Sequence, residues 1–565
     1  MGTPASVRDH APEPADLAAP AGLAADPAGA AAEGGHRRLF GSAWLWPGLL
    51  ALVLGLYGAG GPQLWEDELN TWDMATRSTG RLLETIQHVD AVLATYYLLL
   101  HGWTGLFGDS DLALRLPSVL ATAGAAVCTA LIGARLAGRR AGRVAGLLFA
   151  LTPVVSRYAQ EARPYALVVL AVALATLLLL RALDRPDSVP RWAAYALATT
   201  AVGLLHLVAL TALAGHLVAA VAKGRSVLLR FGLAALAGVA ASVPVLVLGR
   251  AQAGRQISWI PRPDLEGLAA FWPQLFGSAL VAGAVMALAA LAWAGRDGRT
   301  GGEGAGGSGV SGEGVGGSGV TGSGLSGSIV GGPGVGDGGA GPGAMTGRAW
   351  LLAMTASAVA PPLILWTVSH GDVSYFYFRY LLFTLPAWAV LAGAALRTVR
   401  PRAVVAVLLA GLALLTLPEQ RALREPYAHF WHGVDYRGAA ATIEKYHRPG
   451  DAVVYDRGDD YWRLLDAGVR HYLPDELRPR DVFLARSAAD RADLWATECP
   501  APARCLRGEP RIWLVVPAGD ADPLTALPPA QARALRAHYT ATGTERLTGV
   551  TVALLVRKDA GARRR

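Results

Sequence analysis

Charged residues are scarce in this sequence: Asp, Glu, Lys and Arg make up 17% of the 565 residues, whereas 53% are hydrophobic. Soluble globular proteins have about 25% charged residues, so this shortage excludes an ordinary soluble protein and predicts a polytopic membrane protein. The net charge of +8 does not indicate nucleic-acid binding. The Lys and Arg residues lie in short groups between apolar runs and form no single basic domain.

Cysteine is scarce as well, with three residues in the whole chain. So few cysteines exclude a disulfide framework, and their spacing is not that of a zinc site. Cys499 and Cys505 are close enough in sequence to pair with each other in an oxidising compartment. Two separate thiols are the alternative, and it stays open at this point.

Large apolar residues are almost absent from residues 1–38, which are rich in Ala, Pro, Gly and Asp. Such a segment cannot bury a core, so we expect a disordered tail. The apolar run from Trp44 to Gly60 that follows is longer than a signal-peptide core, and no convincing cleavage site precedes Pro62. We therefore predict that this first span is retained, that the membrane domain begins at residue 39, and that the N-terminus is cytoplasmic.

Apolar runs of roughly bilayer-spanning length recur through the next part of the chain, and about eleven are expected by the usual length criterion. Counted alternately from a cytoplasmic start, the short basic connections all fall on one side, as the positive-inside rule requires. An odd count places the C-terminus outside. The sequence thus predicts an all-α polytopic membrane protein whose membrane domain covers 39–296 and 348–417.

Two segments have a different composition. Residues 297–347 are mainly Gly and Ser with loose repeats, which predicts a flexible cytoplasmic linker. After Pro418 the composition is that of a soluble domain, 418–565, with one helical stretch and three strand-like segments. The helix is expected at 436–446, and the strands at 452–455, 511–516 and 550–556. We predict a small α/β domain, which the odd span count places on the extracytoplasmic side.

The predicted outer loop 62–111 is acidic, and its acids start directly after the first span with Trp65-Glu-Asp-Glu-Leu. The other outer loops bring arginines to the same side. These are Arg157, Arg163, Arg250, Arg255, Arg262 and Arg379. Acids and arginines at one membrane interface suit a site for a phosphorylated lipid. Alternatively, the acids only end the apolar segment in water, and the arginines anchor helix ends.

Several motifs occur in a particular order along the chain. They are Trp65-Glu-Asp-Glu-Leu, Tyr96-Tyr-Leu-Leu-Leu-His101, Phe107-Gly-Asp-Ser, Leu114-Arg-Leu-Pro-Ser118, Ser156-Arg-Tyr-Ala-Gln-Glu-Ala-Arg-Pro-Tyr165 and Phe378-Arg-Tyr-Leu-Leu. Together they resemble the GT-C membrane glycosyltransferases, near the bacterial protein O-mannosyltransferases and the lipid A aminoarabinose transferase, over roughly residues 40–420. The resemblance implies a polyprenyl-phosphate sugar donor, inverting transfer on the extracytoplasmic face, and an acidic base in the first outer loop.

The resemblance also assigns residues. Family members commonly have an Asp-Glu pair where this chain has Asp67-Glu68, so Asp67 is the expected base and Glu68 its catalytic neighbour. Many members lead into the next helix with His-Pro-Pro or a similar sequence, whereas this chain has Val89-Asp-Ala-Val-Leu-Ala-Thr95. This departure leaves the sugar contacts of the donor pocket open. Asp90 is expected to act on the acceptor or on a metal.

Substrate binding is further expected of residues in the second and last outer loops. They are Arg157, Glu161, Arg163, Tyr165 and Arg379. A departing lipid phosphate needs cationic donors, and an acceptor hydroxyl needs a carboxylate that takes its proton. Glu161 has the alternative role of charge partner to Arg163. A divalent cation, Mg²⁺ or Mn²⁺, on Asp67, Glu68 or Asp90 stays open, because these oxygen ligands suit it but no ligand spacing fixes it.

Two other function classes compete with a glycosyltransferase. A transporter or flippase for lipid-linked sugars would place ionisable groups near mid-membrane, whereas the predicted spans here are nearly devoid of charge. A non-catalytic scaffold leaves the acidic loop and the arginines without a role. The expected partners are a polyprenyl-phosphate sugar donor, a cell-envelope glycan, lipid or protein acceptor, and membrane lipids. The expected location is the cell membrane, with no nucleic-acid partner.

Overall fold

A computed structural model describes residues 2, 44–300, 345, 347–427, 433–459 and 461–558. Apart from residue 2, the predicted tail 1–38 lies outside these residues. The predicted linker 297–347 lies outside them for the most part. Its first four residues, 297–300, belong to a helix that ends at Thr300.

The described chain is mostly helical. Its α-helices before the linker are α1 (Leu45–Leu56), α2 (Glu66–Thr76), α3 (Thr79–His88), α4 (Ala94–Phe107), α5 (Asp111–Ala137), α6 (Arg139–Leu151), α7 (Pro153–Ala159), α8 (Tyr165–Asp184), α9 (Val189–Leu205), α10 (Leu213–Val221), α11 (Arg225–Ala240), α12 (Val243–Gln256), α13 (Leu265–Phe276) and α14 (Ala279–Thr300). Those after it are α15 (Gly347–Val368), α16 (Leu385–Ala395), α17 (Arg402–Leu415), α18 (Leu417–Ala422), α19 (Tyr436–Tyr446), α20 (Leu465–Tyr472), α21 (Pro502–Cys505) and α22 (Pro529–His538).

Four helices of the described chain are long and apolar enough to cross a membrane. They are Asp111–Ala137, Tyr165–Asp184, Gly347–Val368 and Phe378–Ala395, the last of which includes a 3₁₀ turn at Phe378–Thr384. Two bent helix pairs raise the number to six if each pair is one span, and four shorter apolar helices accompany them. The count of about eleven spans therefore stays a prediction.

The bends in the paired helices have local causes. The pair α13 and α14 turns by 90° at Gly277, whose φ of +72° suits glycine, and a Cβ there would lie 2.7 Å from the backbone nitrogen of Val154. The pair α11 and α12 bends by 55° just before Pro244, which has no amide proton to continue the helical hydrogen bonds. Small residues also set helix spacing, since a Cβ on Gly142 would meet the carbonyl oxygen of Ala130 at 2.3 Å.

The C-terminal segment forms a five-stranded sheet in the order β2-β1-β5-β7-β6. Its strands are β1 (Ala452–Tyr455), β2 (Arg480–Asp481), β5 (Arg511–Pro517), β6 (Tyr539–Leu547) and β7 (Val550–Arg557), and a separate pair is β3 (Leu484–Arg486) with β4 (Thr497–Glu498). Strand β1 pairs in parallel with β2 and β5, whereas β7 runs antiparallel to both β5 and β6. Helix α19 and strands β1, β5 and β7 lie where the sequence predicts a helix and three strands. A disulfide joins Cys499 to Cys505.

One face of this sheet shares a hydrophobic core with the segment 62–111, the predicted first outer loop. Val453 and Trp513 from the sheet belong to the same buried cluster as Leu69, Trp72 and Met74 from α2. Because these strands are buried on both faces, they read as almost continuous apolar runs in the sequence. The C-terminal sheet therefore fixes the position of α2 through an apolar interface.

Polar contacts along the same interface centre on two acids. Asp111 accepts hydrogen bonds from Nε2 of His471 at 2.8 Å and from the Tyr472 hydroxyl at 2.9 Å, and Arg437 forms an ion pair with it. Asp73 of α2 pairs with Arg470 at 2.5 Å. These contacts orient the segment 62–111, which carries Glu66, Asp67 and Glu68.

Candidate active site

Asp67 lies in the first turn of α2, next to Glu66 and Glu68. Acidic residues in the first turn stabilise the helix, because the helix dipole places partial positive charge at its N-terminus. Trp65 precedes the helix in an extended conformation and is buried. Adjacent helical residues point about 100° apart, so the three carboxylates have three different surroundings.

The Asp67 carboxylate contacts two arginines from distant parts of the chain. Its Oδ2 lies 3.0 Å from Nη1 of Arg379 and 3.8 Å from Nη2 of Arg163. Arg163 Nη1 also donates to the Asp67 carbonyl oxygen at 3.3 Å and to the Thr71 hydroxyl at 3.2 Å. Both arginine side chains are nearly buried, while 26% of the Asp67 side chain is exposed. Asp67 is the accessible end of this charged group.

The same arginines set the charge of Asp67. Burial favours its neutral form, but Arg163 and then Arg379 favour the anion more strongly and lower the pKa of this carboxyl. Asp67 is therefore an accessible carboxylate near neutral pH. Such a group can accept a proton from a bound hydroxyl.

Glu68 has a different environment from the one expected for a catalytic neighbour. Both its oxygens contact the guanidinium of Arg115, at 2.6 and 2.8 Å, and Oε1 also accepts from the Ala162 amide at 2.7 Å. Neither side chain of the pair is exposed. In this arrangement both oxygens of Glu68 are hydrogen-bonded, and its contacts join α2 to α5 and to the segment 156–164.

Arg115 is the residue that sequence reasoning missed. Besides Glu68, it donates to the carbonyl oxygens of Ala59, Pro62 and Gln63 at 2.7 to 3.0 Å. It therefore fixes the backbone that leads from the first helix into α2. The available signal was a lone arginine in the first turns of an apolar span, in Leu114-Arg-Leu-Pro-Ser118, where a charge requires a buried partner.

Glu66 is buried with an exposed fraction of 8%, and neither carboxylate oxygen has a hydrogen-bond partner among the described residues. Burial raises its pKa to about 7 and Asp67 adds a smaller shift in the same direction, whereas the backbone amide of Glu66 itself and Arg463 oppose the rise. Tyr436 of the C-terminal domain also interacts electrostatically with this carboxyl. Glu66 thus lies on the side of α2 toward the C-terminal domain, away from the arginines that hold Asp67.

This burial predicts a pH-dependent stability. The pKa of this carboxyl is about 7 in the folded protein and near 4.5 in the unfolded chain. Its burial therefore does not lower the free energy of unfolding below pH 4.5, and it lowers that free energy by the full amount above pH 7. The variant Glu66→Gln removes that cost, worth up to about 3 kcal/mol at pH 8. We expect its melting temperature in detergent to exceed that of the natural protein at pH 8, with a smaller difference at pH 5.

Glu84→Gln is the matched control, because Glu84 is an exposed acid on the next helix. Its difference from the natural protein should be small at either pH. A Glu66→Gln protein that melts lower than the natural protein at pH 8 would contradict the unpaired burial of this carboxyl.

Asp90 follows α3 in a left-handed conformation, with φ of 57°. Its carboxylate accepts from the Tyr97 hydroxyl at 2.7 Å and from the Gln256 amide at 2.5 Å. Burial raises the pKa of Asp90, and Arg163 opposes that shift. Arg163 therefore acts electrostatically on both Asp67 and Asp90.

The segment 156–165, which contains the predicted second outer loop, supplies three more of the expected residues. Arg157 Nε lies 3.3 Å from Glu161 Oε2, so the partner of Glu161 is Arg157 and not Arg163. Glu161 is fully buried, its Oε1 has no hydrogen-bond partner among the described residues, and burial raises its pKa to about 7. Tyr165 is also buried, with its ring 5.6 Å from the Arg379 guanidinium carbon.

The three acids that the sequence offers for a metal do not form a ligand set. Within the described ranges, no group of three or more His, Cys, Asp and Glu side chains could hold an ion. The oxygens of Glu68 are both occupied by Arg115, and Oδ2 of Asp67 contacts Arg379. We therefore derive no chemical step through a metal.

Comparisons with known proteins agree with this architecture. Residues 94–248 match the family model described as dolichyl-phosphate-mannose-protein mannosyltransferase. No curated protein sequence matches the chain. Two crystal structures of ArnT from Cupriavidus metallidurans are similar in fold. The structure bound to undecaprenyl phosphate has a TM-score of 0.55 and 12% sequence identity, and the match covers 91% of this chain and 98% of that one. The apo structure has a TM-score of 0.52 and 14% sequence identity, and the match covers 93% of this chain and 98% of that one.

The oligosaccharyltransferase of Archaeoglobus fulgidus gives a TM-score of 0.42 at 13% identity, over 91% of this chain and 73% of that one. The family match and the ArnT structures confirm the resemblance to the GT-C membrane glycosyltransferases that the motifs indicated. The two ArnT matches extend over nearly the whole chain.

Proposed function

We propose that this chain, a membrane protein with the GT-C fold, transfers a sugar from a polyprenyl-phosphate donor to an extracytoplasmic acceptor with inversion. The sugar would be a mannose-type hexose or a pentose, and the acceptor a cell-envelope glycan, lipid or protein. One observation carries the proposal. The ionised and accessible Asp67 carboxylate lies against two nearly buried arginines, Arg163 and Arg379.

Arg163 and Arg379 each have a hydrogen-bond donor that could bind an anion. The Nε atoms of Arg163 and Arg379 are buried and have no hydrogen-bond partner among the described residues. An N–H donor buried without a partner is costly, and a phosphate oxygen would satisfy it. The crystal structure of ArnT with undecaprenyl phosphate supports a lipid phosphate as the anion.

The chemistry follows from this arrangement. Asp67 takes the proton of the acceptor hydroxyl while the hydroxyl oxygen forms a bond to the anomeric carbon of the donor. The bond from that carbon to the phosphate oxygen breaks, and its electron pair stays on the lipid phosphate. Arg163 and Arg379 stabilise the growing negative charge, which is the part of the reaction where fixed cations help most. Attack opposite the leaving phosphate gives inversion.

The remaining expected residues receive supporting roles in the proposal. Glu68 positions α2 through Arg115, Asp90 and Tyr165 border the charged site, and Arg157 with Glu161 forms its edge on the second outer loop. We also propose a multi-pass protein of the cell membrane, with a cytoplasmic N-terminus and linker and an extracytoplasmic C-terminal domain. The basic connections on one side support this orientation.

The proposal is tested on the arginines. Arg379→Gln and Arg163→Gln should weaken binding of undecaprenyl phosphate and slow sugar transfer by about 10²- to 10³-fold, because phosphate charge grows in the transition state. Lysine at either position should restore only part of the lipid binding and part of the sugar transfer, because an ammonium group cannot bind two phosphate oxygens side by side as a guanidinium can. Lipid binding to the purified protein and transfer from radiolabelled polyprenyl-phosphate sugars in reconstituted membranes provide the two measurements.

Arg250→Gln serves as the control, because Arg250 is an exposed outer-face arginine that is paired with Asp372 at 3.8 Å. It should keep near-normal binding and transfer. Unchanged lipid-phosphate affinity in both site variants would leave the two arginines as anchors of helix ends. Movement of the lipid-linked sugar across the membrane without any transfer would favour a transporter or flippase instead.

A further inference from the structure

Trp259 is an exposed aromatic residue beside the charged site. It lies in the segment between α12 and α13, and 42% of its surface is accessible. The guanidinium carbon of Arg379 lies 5.5 Å from the centre of its indole ring. The same guanidinium contacts Asp67 at 3.0 Å. The indole is therefore one side chain away from the expected base.

Five aromatic rings of the described residues surround the Arg379 guanidinium within 6 Å, and Trp259 is the most exposed of the five. Trp65 and Tyr165 are buried, while Tyr377 and Tyr380 are half-buried. Cation–π attraction explains why rings gather around a guanidinium, but it does not require one of them to be exposed. The exposed part of the Trp259 ring is therefore available for contact with a bound molecule.

Two contacts of the Trp259 ring, besides that with Arg379, help to fix its orientation. Its Nε1 donates to the Gln256 carbonyl oxygen at 3.0 Å, and its ring meets Tyr377 edge to face, with centroids 5.1 Å apart. The Gln256 side chain in turn donates to Asp90. The ring is therefore held in place on the site's border, with its polar atom already hydrogen-bonded. Its exposed part offers an apolar surface.

We propose that Trp259, supported by Tyr377, forms a stacking platform for the sugar of the lipid-phosphate donor. This inference rests on the proposed function. A sugar ring attached to a phosphate held by Arg379 lies one bond from that phosphate, which is within reach of an indole 5.5 Å from the guanidinium carbon. One face of a sugar ring carries mainly C–H groups and packs on an aromatic ring, while the hydroxyls keep polar partners.

The simpler role for an exposed tryptophan in a membrane protein is an interfacial anchor. Trp46 on α1 provides the comparison, because it is 57% exposed on an apolar helix and belongs to none of the rings around Arg379. An anchor affects lipid binding in general. A sugar platform affects only lipids that carry a sugar.

The test compares bare undecaprenyl phosphate with undecaprenyl phosphate carrying mannose, glucose, galactose or arabinose, using the full-length protein in nanodiscs. The natural protein should bind at least one glycosylated lipid more tightly than the bare lipid. Trp259→Ala should reduce that preference by roughly 3- to 10-fold, the range of one aromatic contact, and leave the affinity for the bare lipid unchanged. Trp259→Phe should keep most of the preference, and Trp46→Ala all of it.

Equal weakening for bare and glycosylated lipids in Trp259→Ala would identify an anchor and overturn the platform. So would a natural protein that prefers none of the four sugars, or a preference that survives in Trp259→Ala. Failure of the proposed function has a separate signature. In that case Arg379→Gln leaves the affinity for bare undecaprenyl phosphate unchanged.

Discussion

Asp67→Asn is expected to reduce sugar transfer by ~10²- to 10⁴-fold, the range typical of a lost general base. The amide keeps the size of the carboxylate but cannot accept the acceptor's proton at neutral pH. Binding of undecaprenyl phosphate should not weaken, because the change removes a negative charge that contacts Arg379 at 3.0 Å and Arg163 at 3.8 Å. Turnover and lipid affinity, measured on the same purified protein, separate the two effects.

Two further variants sharpen this result. Glu84→Gln changes an exposed acid of the same outer loop and should retain normal transfer. Glu66→Gln changes the neighbour of Asp67, which faces the C-terminal domain, and should cost far less turnover than Asp67→Asn. Near-normal transfer by an Asp67→Asn protein that is folded and binds the lipid would move the base to another acid, with Asp90 next in line.

Arg115→Met should cause the largest loss of stability. It leaves the Glu68 carboxylate uncompensated at a position where neither side chain of the pair is exposed. Removing one partner of a buried ion pair typically costs about 3 to 5 kcal/mol. We expect a strongly reduced melting temperature in detergent and a low yield of folded protein.

The double variant Arg115→Met with Glu68→Gln should recover part of that loss, because no charge is then left buried alone. Recovery cannot be complete. The carbonyl oxygens of Ala59, Pro62 and Gln63 lose their donor in both variants. A single Arg115→Met protein as stable as the natural one would show that the pair has no structural role.

Glu68 and Arg115 also show how far sequence reasoning reached at this site. The motif pointed to an acidic pair, but the buried partner of Glu68, Arg115, is 47 residues away along the chain. Its position depends on the packing of α5 against the loop before α2. No local pattern encodes that packing. The pairing of Glu161 with Arg157 was likewise decided by tertiary structure, because Glu161 lies just after the end of α7 and contacts Arg157 of that helix, whereas Arg163 extends toward Asp67.

The sequence by itself determined the apolar, mostly helical class, the acidic and basic character of the loops between apolar runs, and one helix and three strands of the C-terminal segment. These features follow from hydropathy, charge distribution and short-range periodicity, which act over a few residues. Only the tertiary structure decided which of three adjacent carboxylates meets the arginines, and that Trp259 borders the same site. Neighbouring side chains on a helix point in different directions. The residues that each side chain contacts can come from segments hundreds of residues away, as Arg379 does for Asp67.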